Sequence, residues 1–307
     1  MINEIAPDAE IVHSIVAEHF KNCSAIERVP KGASTFVYSI IVGEEVFYLR
    51  ILPEKENFGS EVLVHNALSN IGVKVPKIIH YEERSKTIGR SYMIIGEIKG
   101  KSIEDENPEK NLREILSEAG KQLALIHNVK VDGFGWIDKR YSNILKGVKR
   151  SFLEYYTEYL GNDYSILDQY DFCKEEKTKI KYFIEIGQEL LNVDSAVLVH
   201  GDFDISQIFH YNNRYSGMID FGEARGNNHL YDLATFVGFY QDRQLYSYLL
   251  EGYRERRCLT ETDLDSVEIM GLFMLLRFLG KKVNAKSHNH FYNLTKRQLL
   301  QLEKLHF

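Results

Sequence analysis

Hydrophobic and polar positions alternate along much of the first third of the chain. Over the rest they recur mainly at three- and four-residue spacing. Residues 34–42 (STFVYSIIV) and 46–52 (VFYLRIL), separated by Gly43-Glu44-Glu45, predict two strands joined by a short hairpin turn. Residues 59–70 predict a helix, because Val62, His65, Ala67 and Leu68 keep an apolar spacing and Gly72 supplies a stop. Residues 75–81 and 92–95 predict a second strand pair around a turn at Gly89. From about Gly100 the pattern turns helical. Asn107 reads as an N-cap with Pro108 at the first helical position, and the helix runs through Leu112, Ile115, Ala119, Leu123 and Ile126. Helices are also predicted over 151–172 and 176–192, then a short β island over 196–221, then helices near 230–254, 262–282 and 291–305. The pattern predicts an α+β protein with a small β-rich lobe, 1–97, on a larger and mainly helical lobe, 98–307.

Composition narrows the class. A chain of 307 residues, 44% hydrophobic and 27% charged, is neither disordered nor fibrous, and it is long enough to bury one large core or two. With 38 basic against 44 acidic residues the net charge is −6, which argues against nucleic acid or an anionic membrane as main partner and suits a cationic small molecule. No apolar run approaches the ~18 residues of a membrane span. The segment MINEIAPDAEIVHSIV carries acids where a signal peptide carries bases. Cys23, Cys173 and Cys258 are widely spaced and form no CxxC, so a cytoplasmic setting is expected.

The chemistry concentrates in the β island. His200-Gly201-Asp202 is followed by Gln207 and then by Ile219-Asp220-Phe221-Gly222. Each aspartate follows a short apolar run, Leu198-Val199 or Met218-Ile219, which fixes a carboxylate at a strand end. Phosphoryl transfer uses such a pair: one carboxylate orients the attacking hydroxyl and takes its proton, the other holds the Mg²⁺ that bridges the nucleotide phosphates.

These residues resemble the catalytic segment of the aminoglycoside phosphotransferase family, small-molecule kinases of protein-kinase-like fold, whose usual form is H-G-D-x-x-x-x-N followed by I-D-F/W. The resemblance implies Asp202 as catalytic base and Asp220 as metal ligand. Gln207 stands where Asn is usual and would offer its amide oxygen to Mg²⁺ on a longer stem. Asp232, in Tyr231-Asp232-Leu233-Ala234, falls where the family has an acid that braces the catalytic loop. Arg50 stands on the second strand where the family normally has Lys, as it does in hygromycin B phosphotransferase, whose spacing from Lys31 to Pro76 is also similar. Arg is permanently charged and forked, hence suited to phosphate, and Glu61 at the start of the next helix is its expected partner. Ser34 and Thr35, in Lys31-Gly32-Ala33-Ser34-Thr35, lie where the phosphate-covering loop belongs. Ile95, Glu97 and Ile98 lie in the segment crossing between lobes, whose backbone reads the purine of ATP or GTP. Gly133-Phe134-Gly135-Trp136, after Leu125-Ile126-His127, matches a family turn and is assigned to packing.

The acceptor side is broader. Residues 151–172 interleave seven aromatics with Glu154, Glu158, Asp163, Asp168 and Asp171, which reads either as a wall for a polyamine sugar or as a solvated acidic helix face. Asp204 and Glu223, beside the two catalytic segments, are candidates to line the acceptor pocket. Ser287-His288-Asn289-His290 lacks Cys or carboxylate partners at zinc-ligand spacing and reads as a polar loop. Lys281, Lys282 and Lys286 are too few for nucleic acid. The expected protein is a monomer or homodimer that uses a nucleoside triphosphate and Mg²⁺ to phosphorylate a hydroxyl, with an aminoglycoside as first acceptor. A macrolide or metabolite kinase is the alternative within enzymes, and a nucleotide-binding pseudokinase the alternative outside them.

Overall fold

A computed structural model describes residues 6–30, 35–53, 56–141, 143–280 and 285–305, with side chains from 289 in the last stretch. Helix α1 (Ala9–His19) and strand β1 (Ala25–Val29) precede the predicted hairpin, β2 (Phe36–Val42) and β3 (Glu45–Ile51). Helix α2 (Gly59–Asn70) and strands β4 (Ile78–Glu82) and β5 (Tyr92–Gly96) complete an antiparallel sheet of order β1-β2-β3-β5-β4. Alternation decides its faces. Leu49 and Ile51 of β3 point to one face, where Val12, Ile15 and Val16 of α1 pack against them with Phe36, Ile40, Tyr92 and Ile94. Tyr48 and Arg50, one residue out of phase, point to the other face and into a cleft.

Strand β6 (Lys101–Ser102) opens the second half, followed by α3 (Leu112–Ile126), β7 (Lys130–Val131), β8 (Phe134–Ile137), β9 (Gly147–Lys149), α4 (Phe152–Thr157), α5 (Leu160–Ile166) and α6 (Lys174–Leu190). Then come β10 (Ala196–Val199), β11 (Ile208–Tyr211), β12 (Arg214–Met218), a 3-10 turn (Phe221–Glu223), β13 (Arg225–Asn227), α7 (Tyr231–Tyr240), α8 (Arg243–Arg254), α9 (Glu261–Gly280) and α10 (Ala285–Leu302). The short strands form two further sheets, β7-β10-β13-β8-β9 and β12-β11-β6, set on a helical core in which α3 packs on α8 and α9 on α7, α10, α6 and α5. The α+β, kinase-like arrangement holds. Among the described residues no helix is long and apolar enough to cross a membrane.

Several expected elements differ. The helix expected from Asn107 starts at Leu112, because Pro108 closes a turn by accepting the Asn111 N–H at 2.8 Å. The helix expected over 151–172 is two, since α4 docks on β8 and β9 while α5 docks on α9, and Tyr159 (φ −120°) bends the chain between them. The helix expected over 230–254 breaks at Gln241, which is left-handed (φ 48°), and restarts at Asp242, whose Oδ1 accepts the N–H groups of Gln244 and Leu245. Residues 287–290 are not a loop but the first turns of α10.

Candidate functional site

Asp202 sits on the loop between β10 and β11, and three interactions hold that loop. The buried Asp232 carboxylate accepts the backbone N–H of His200 at 2.7 Å and of Gly201 at 2.9 Å. Gly201 is left-handed (φ +88°), and a Cβ there would lie 2.0 Å from the Glu223 carbonyl, so only glycine lets the two loops meet. His200 then ties them together: its Nε2 donates to the Ile219 carbonyl at 2.9 Å, and its Nδ1 accepts the Asp202 N–H at 3.4 Å. One imidazole therefore fixes the residues on which both Asp202 and Asp220 depend. Behind Asp232 the network continues. His127 Nε2 donates to Asp232 at 2.9 Å, and the Tyr253 hydroxyl meets His127 Nδ1 at 2.8 Å. Close packing of α3 on α8 makes that contact reachable, since Gly252 faces the Ser117 carbonyl with no room for a Cβ.

Asp202 is half-buried, and burial pushes its carboxyl up, with the negative charges of Asp204, Asp220 and Glu223 acting the same way and His200 opposing. Asp220 is left-handed as well (φ 66°, ψ 66°), a conformation that a short polar residue tolerates, and its side chain is 52% exposed. It faces the sheet. Arg50, held by its register with Val37 and Met93, pairs through Nη1 with Glu61 Oε1 and brings Nη2 to 3.8 Å from Asp220 Oδ1. Burial pushes Glu61 up, yet Arg50 and His65 outweigh it and hold the carboxyl at about 2. Arg50 responds oppositely: burial opposes its charge, but Glu61 and Asp220 raise its pKa.

These two aspartates border two different cavities. The first, about 450 Å³, lies between the lobes and is lined by Thr35, Tyr48, Arg50, Ile95, Ile98, Gln207 and Asp220 among others. The second, about 490 Å³, opens beside Asp202 and Gly201 within the helical half. Its wall is made by Trp136, Tyr155, Glu158, Tyr159, Asp163, Glu223, Arg225 and Arg277, with Met274 and Phe278 beside them.

Of the residues singled out from sequence, Arg50, Thr35, Ile95, Ile98, Gln207 and Asp220 gather on the first cavity. Glu61 stands behind Arg50, and Asp202 and Glu223 line the second cavity. Ser34 lies outside the described residues. Glu97 lines neither cavity; its N–H donates to the Val46 carbonyl, which continues the β3–β5 ladder into the crossing segment. Asp204 lines neither, because its Oδ1 accepts the Ser206 N–H at 2.6 Å and turns inside its own loop. The acidic stretch divides. Glu158 and Asp163 reach the second cavity, while Asp168 pairs with Lys177 on the surface and Glu154 takes the Arg150 N–H. Trp136, read as packing, is 41% exposed on that cavity, and its Nε1 donates to Glu223 Oε2 at 3.1 Å. Arg225 and Arg277 carried no motif. A buried-looking Arg inside an otherwise apolar run (FMLLRFLG) was the one signal available for Arg277.

Here a β-rich lobe aims a buried arginine–glutamate pair at a loop aspartate, and a helical lobe carries a second loop aspartate. This chain belongs to the phosphotransferase enzyme family (APH), whose profile matches residues 25–266. Its fold is similar to that of aminoglycoside phosphotransferase APH(4)-Ia, with a TM-score of 0.72 at 16% identity over 95% of this chain and 99% of that one. A thermostable mutant of that enzyme, in ternary complex with ADP and hygromycin B, gives a TM-score of 0.72 at 16% identity over 94% and 98%. ADP-bound APH(2'')-Ib gives 0.62 at 16% over 96% and 99%. At such identity the likeness is one of fold. No curated protein matches the chain.

Proposed function

We propose that this phosphotransferase moves the γ-phosphoryl group of ATP or GTP to a hydroxyl of a small molecule, with the nucleotide in the interlobe cavity and the acceptor beside Asp202. One observation carries the reading: Asp220 lines the interlobe cavity and Asp202 the other, and His200 ties together the two loops that bear them. The ADP- and hygromycin B-bound neighbour supports a nucleotide donor and an aminoglycoside acceptor.

In this mechanism Arg50 contacts the phosphates, and the pair with Glu61 keeps its fork aimed. Thr35 covers them from the chain just before β2, the role expected of its neighbour Ser34 as well, while the backbone at Ile95, Glu97 and Ile98 meets the base. The donor set suits Mg²⁺. Among the described residues no group of three or more His, Cys, Asp or Glu could hold a metal, but Mg²⁺ asks only one or two protein oxygens and completes its shell with phosphate and water. The half-exposed Asp220 carboxylate and the Gln207 amide, on one cavity, meet that demand. Bound there, the ion supplies charge neutralisation at the phosphates. Asp202 orients the acceptor hydroxyl and takes its proton late, since the transition state is loose and most of the rate comes from placement. Glu223 contacts the acceptor from the wall, and Asp204 acts through its charge on Asp202.

Incubating the purified chain with Mg²⁺, ATP or GTP and a panel of aminoglycosides, macrolides and sugars tests this. Acceptor-dependent release of nucleoside diphosphate with a product heavier by one phosphoryl group is expected. Tight Mg-nucleotide binding without turnover on any acceptor would favour the pseudokinase reading, which the presence of both Asp202 and Asp220 argues against.

A further inference from the structure

Four carboxylates border the cavity beside Asp202, and three of them are already neutralised within the protein. Glu158 Oε1 lies 2.6 Å from Lys149 Nζ, Asp163 Oδ2 lies 3.3 Å from Arg277 Nε, and Glu223 Oε2 lies 2.8 Å from Arg225 Nη2. Of these four, only Asp202 has no Lys or Arg partner among the described residues, and it is the proposed base. The two arginines themselves line the wall. Their side chains are 8% and 14% exposed, and neither is free to swing away. The Arg225 guanidinium lies over Trp136 at 4.8 Å and Tyr231 at 5.2 Å; that of Arg277 lies over Phe273 at 4.2 Å and donates to the Tyr156 carbonyl at 2.6 Å. These are rigid, permanent positive charges in a half-dry cavity.

A polyamine entering this space finds two fixed guanidinium groups and three carboxylates that already have cationic partners, so beyond the one ammonium group that Asp202 can accept each further one loses water without gaining an unpaired acid. What the wall does offer is aromatic surface. Trp136 and Tyr159 line the cavity and are 41% and 46% exposed, with a guanidinium over each ring, Arg225 at 4.8 Å and Arg277 at 5.3 Å. We infer that the acceptor is a hydroxylated ring compound of low positive charge, neutral or with a single ammonium group, that lays an apolar face on Trp136 and Tyr159. The inference rests on the phosphotransferase reading of the site. Within the aminoglycosides it ranks sparsely aminated members ahead of densely aminated ones, and it admits glycosides without any amine.

The test is a set of two- and three-ring glycosides that carry from none to five amino groups. Each is assayed for kcat/KM by ADP release, and for binding to the Mg-nucleotide complex of the full chain by calorimetry. Affinity is expected to fall by about tenfold or more from the singly to the most densely aminated members, each further ammonium group losing water without gaining a free carboxylate. Arg277→Gln, which frees Asp163, should raise polyamine affinity by about tenfold, whereas Asp163→Asn combined with Arg277→Gln should not. If the single variant does not fold, the charge series on the natural chain still decides. Affinity that rises with amino-group number overturns the inference, as does absence of binding by every glycoside. Ordered binding without any turnover overturns phosphoryl transfer and leaves the charge preference standing.

Discussion

The two cavities, one bordered by Asp220 and the other by Asp202, are built in opposite ways. On the interlobe side the backbone places the chemistry. Arg50 is set by sheet register, Asp220 by a left-handed turn, and Gln207 by a backbone pair in which its carbonyl accepts the Ile219 N–H at 3.2 Å. On the acceptor side, side chains place one another. Trp136, Tyr159, Glu223 and Arg277 come from four separate elements and are fixed by ion pairs and ring contacts. The contrast teaches where each wall can change. Backbone-placed groups admit little replacement without loss of the reaction, whereas a wall of mutually placed side chains can be altered piece by piece while the reaction survives. Substitutions should therefore act over decades in kcat on the first side and over about one decade in acceptor KM on the second.

The sharpest way to break the comparison is Asp220→Asn. Asn visits the left-handed region as readily as Asp, so the backbone is undisturbed while the charge is removed. Loss of the metal ligand should lower kcat by at least about 10⁴-fold, several kcal/mol of transition-state stabilisation, with an unchanged melting curve. Near-normal turnover would end the assignment of Asp220 to the metal.

Next in size is Asp202→Asn, which keeps shape but cannot accept the proton. We expect kcat to fall by about 10²–10⁴-fold with nucleotide KM nearly unchanged. The raised pKa gives two further readouts. The acidic limb of the natural enzyme's kcat/KM–pH profile, which reports the free enzyme, should lie above the usual aspartate range and vanish in the variant. A carboxyl whose pKa is higher in the folded state stabilises the fold only at low pH, and that contribution is lost as pH rises through the folded value. At pH 7 the buried carboxylate is a burden, so Asp202→Asn should melt higher than the natural chain. If Asp202 were a loop brace it would melt lower, and both Michaelis constants would rise.

The same division explains what could be read in the sequence. The β2–β3 hairpin, α2, the β4–β5 pair and the β10–β12 region follow from local alternation and turn residues, and Asp202, Asp220, Arg50 and Glu61 follow from short motifs on those elements. Helix α1 was not expected: Val12, Ile15 and Val16 hold helical spacing, but over three turns the signal is brief. Strand β1 is an edge with no fully buried residue, and β6–β9 and β13 are two to four residues long, below any period. The bends at Tyr159 and Gln241 are set by which partner each half-helix meets, a tertiary fact. The wall is the extreme case. No spacing links Trp136 to Tyr159 or to Arg277, and whether Glu158 and Asp163 are free or paired depends on Lys149 and Arg277, which reach them only in the fold.

A smaller effect is expected behind the loop. Tyr253 is fully buried and touches no cavity, so Tyr253→Phe changes nothing but the partner of His127 Nδ1. An orphaned buried nitrogen costs about 1–3 kcal/mol, visible as a lower melting temperature, and kcat should drop only a few-fold because Asp232 still accepts the two loop N–H groups. Asp232 is the group that makes this pH-sensitive. Burial pushes its carboxyl up, but His127, His200 and the Gly201 N–H more than offset this and hold it below the usual value. A depressed pKa contributes stability above the unfolded value that is lost as pH falls through the folded one, so loosening His127 should move the acid edge of the stability curve upward. A hundredfold loss of kcat at unchanged melting temperature would show instead that Tyr253 reaches the reacting atoms.

The smallest expected effect sharpens the comparison most, because it asks whether the acceptor wall can change without touching the reaction. Trp136 contributes a ring face to the cavity and an N–H to Glu223 at 3.1 Å, while Arg225 holds the same Glu223 oxygen independently at 2.8 Å. Trp136→Phe removes the N–H and keeps a face; Trp136→Ala removes both. A stacked aromatic contact is worth about 0.5–1.5 kcal/mol, so acceptor KM should rise about twofold for Phe and about tenfold for Ala. Nucleotide KM and kcat should stay where they are, since Arg225 keeps Glu223 in place and Trp136 makes no contact with Asp202's supporting network of His200 and Asp232. There is one route by which this fails. Trp136 also borders a small cavity shared with Glu61, Phe221 and Gly222, and Glu61 is the partner of Arg50, which in turn lies 3.8 Å from Asp220. If that space transmits the loss of the ring, Trp136→Ala will raise nucleotide KM along with acceptor KM, and the two walls are mechanically one. Steady-state kinetics on both substrates for the two variants separates the cases: a rise confined to the acceptor keeps the wall exchangeable, and a joint rise does not.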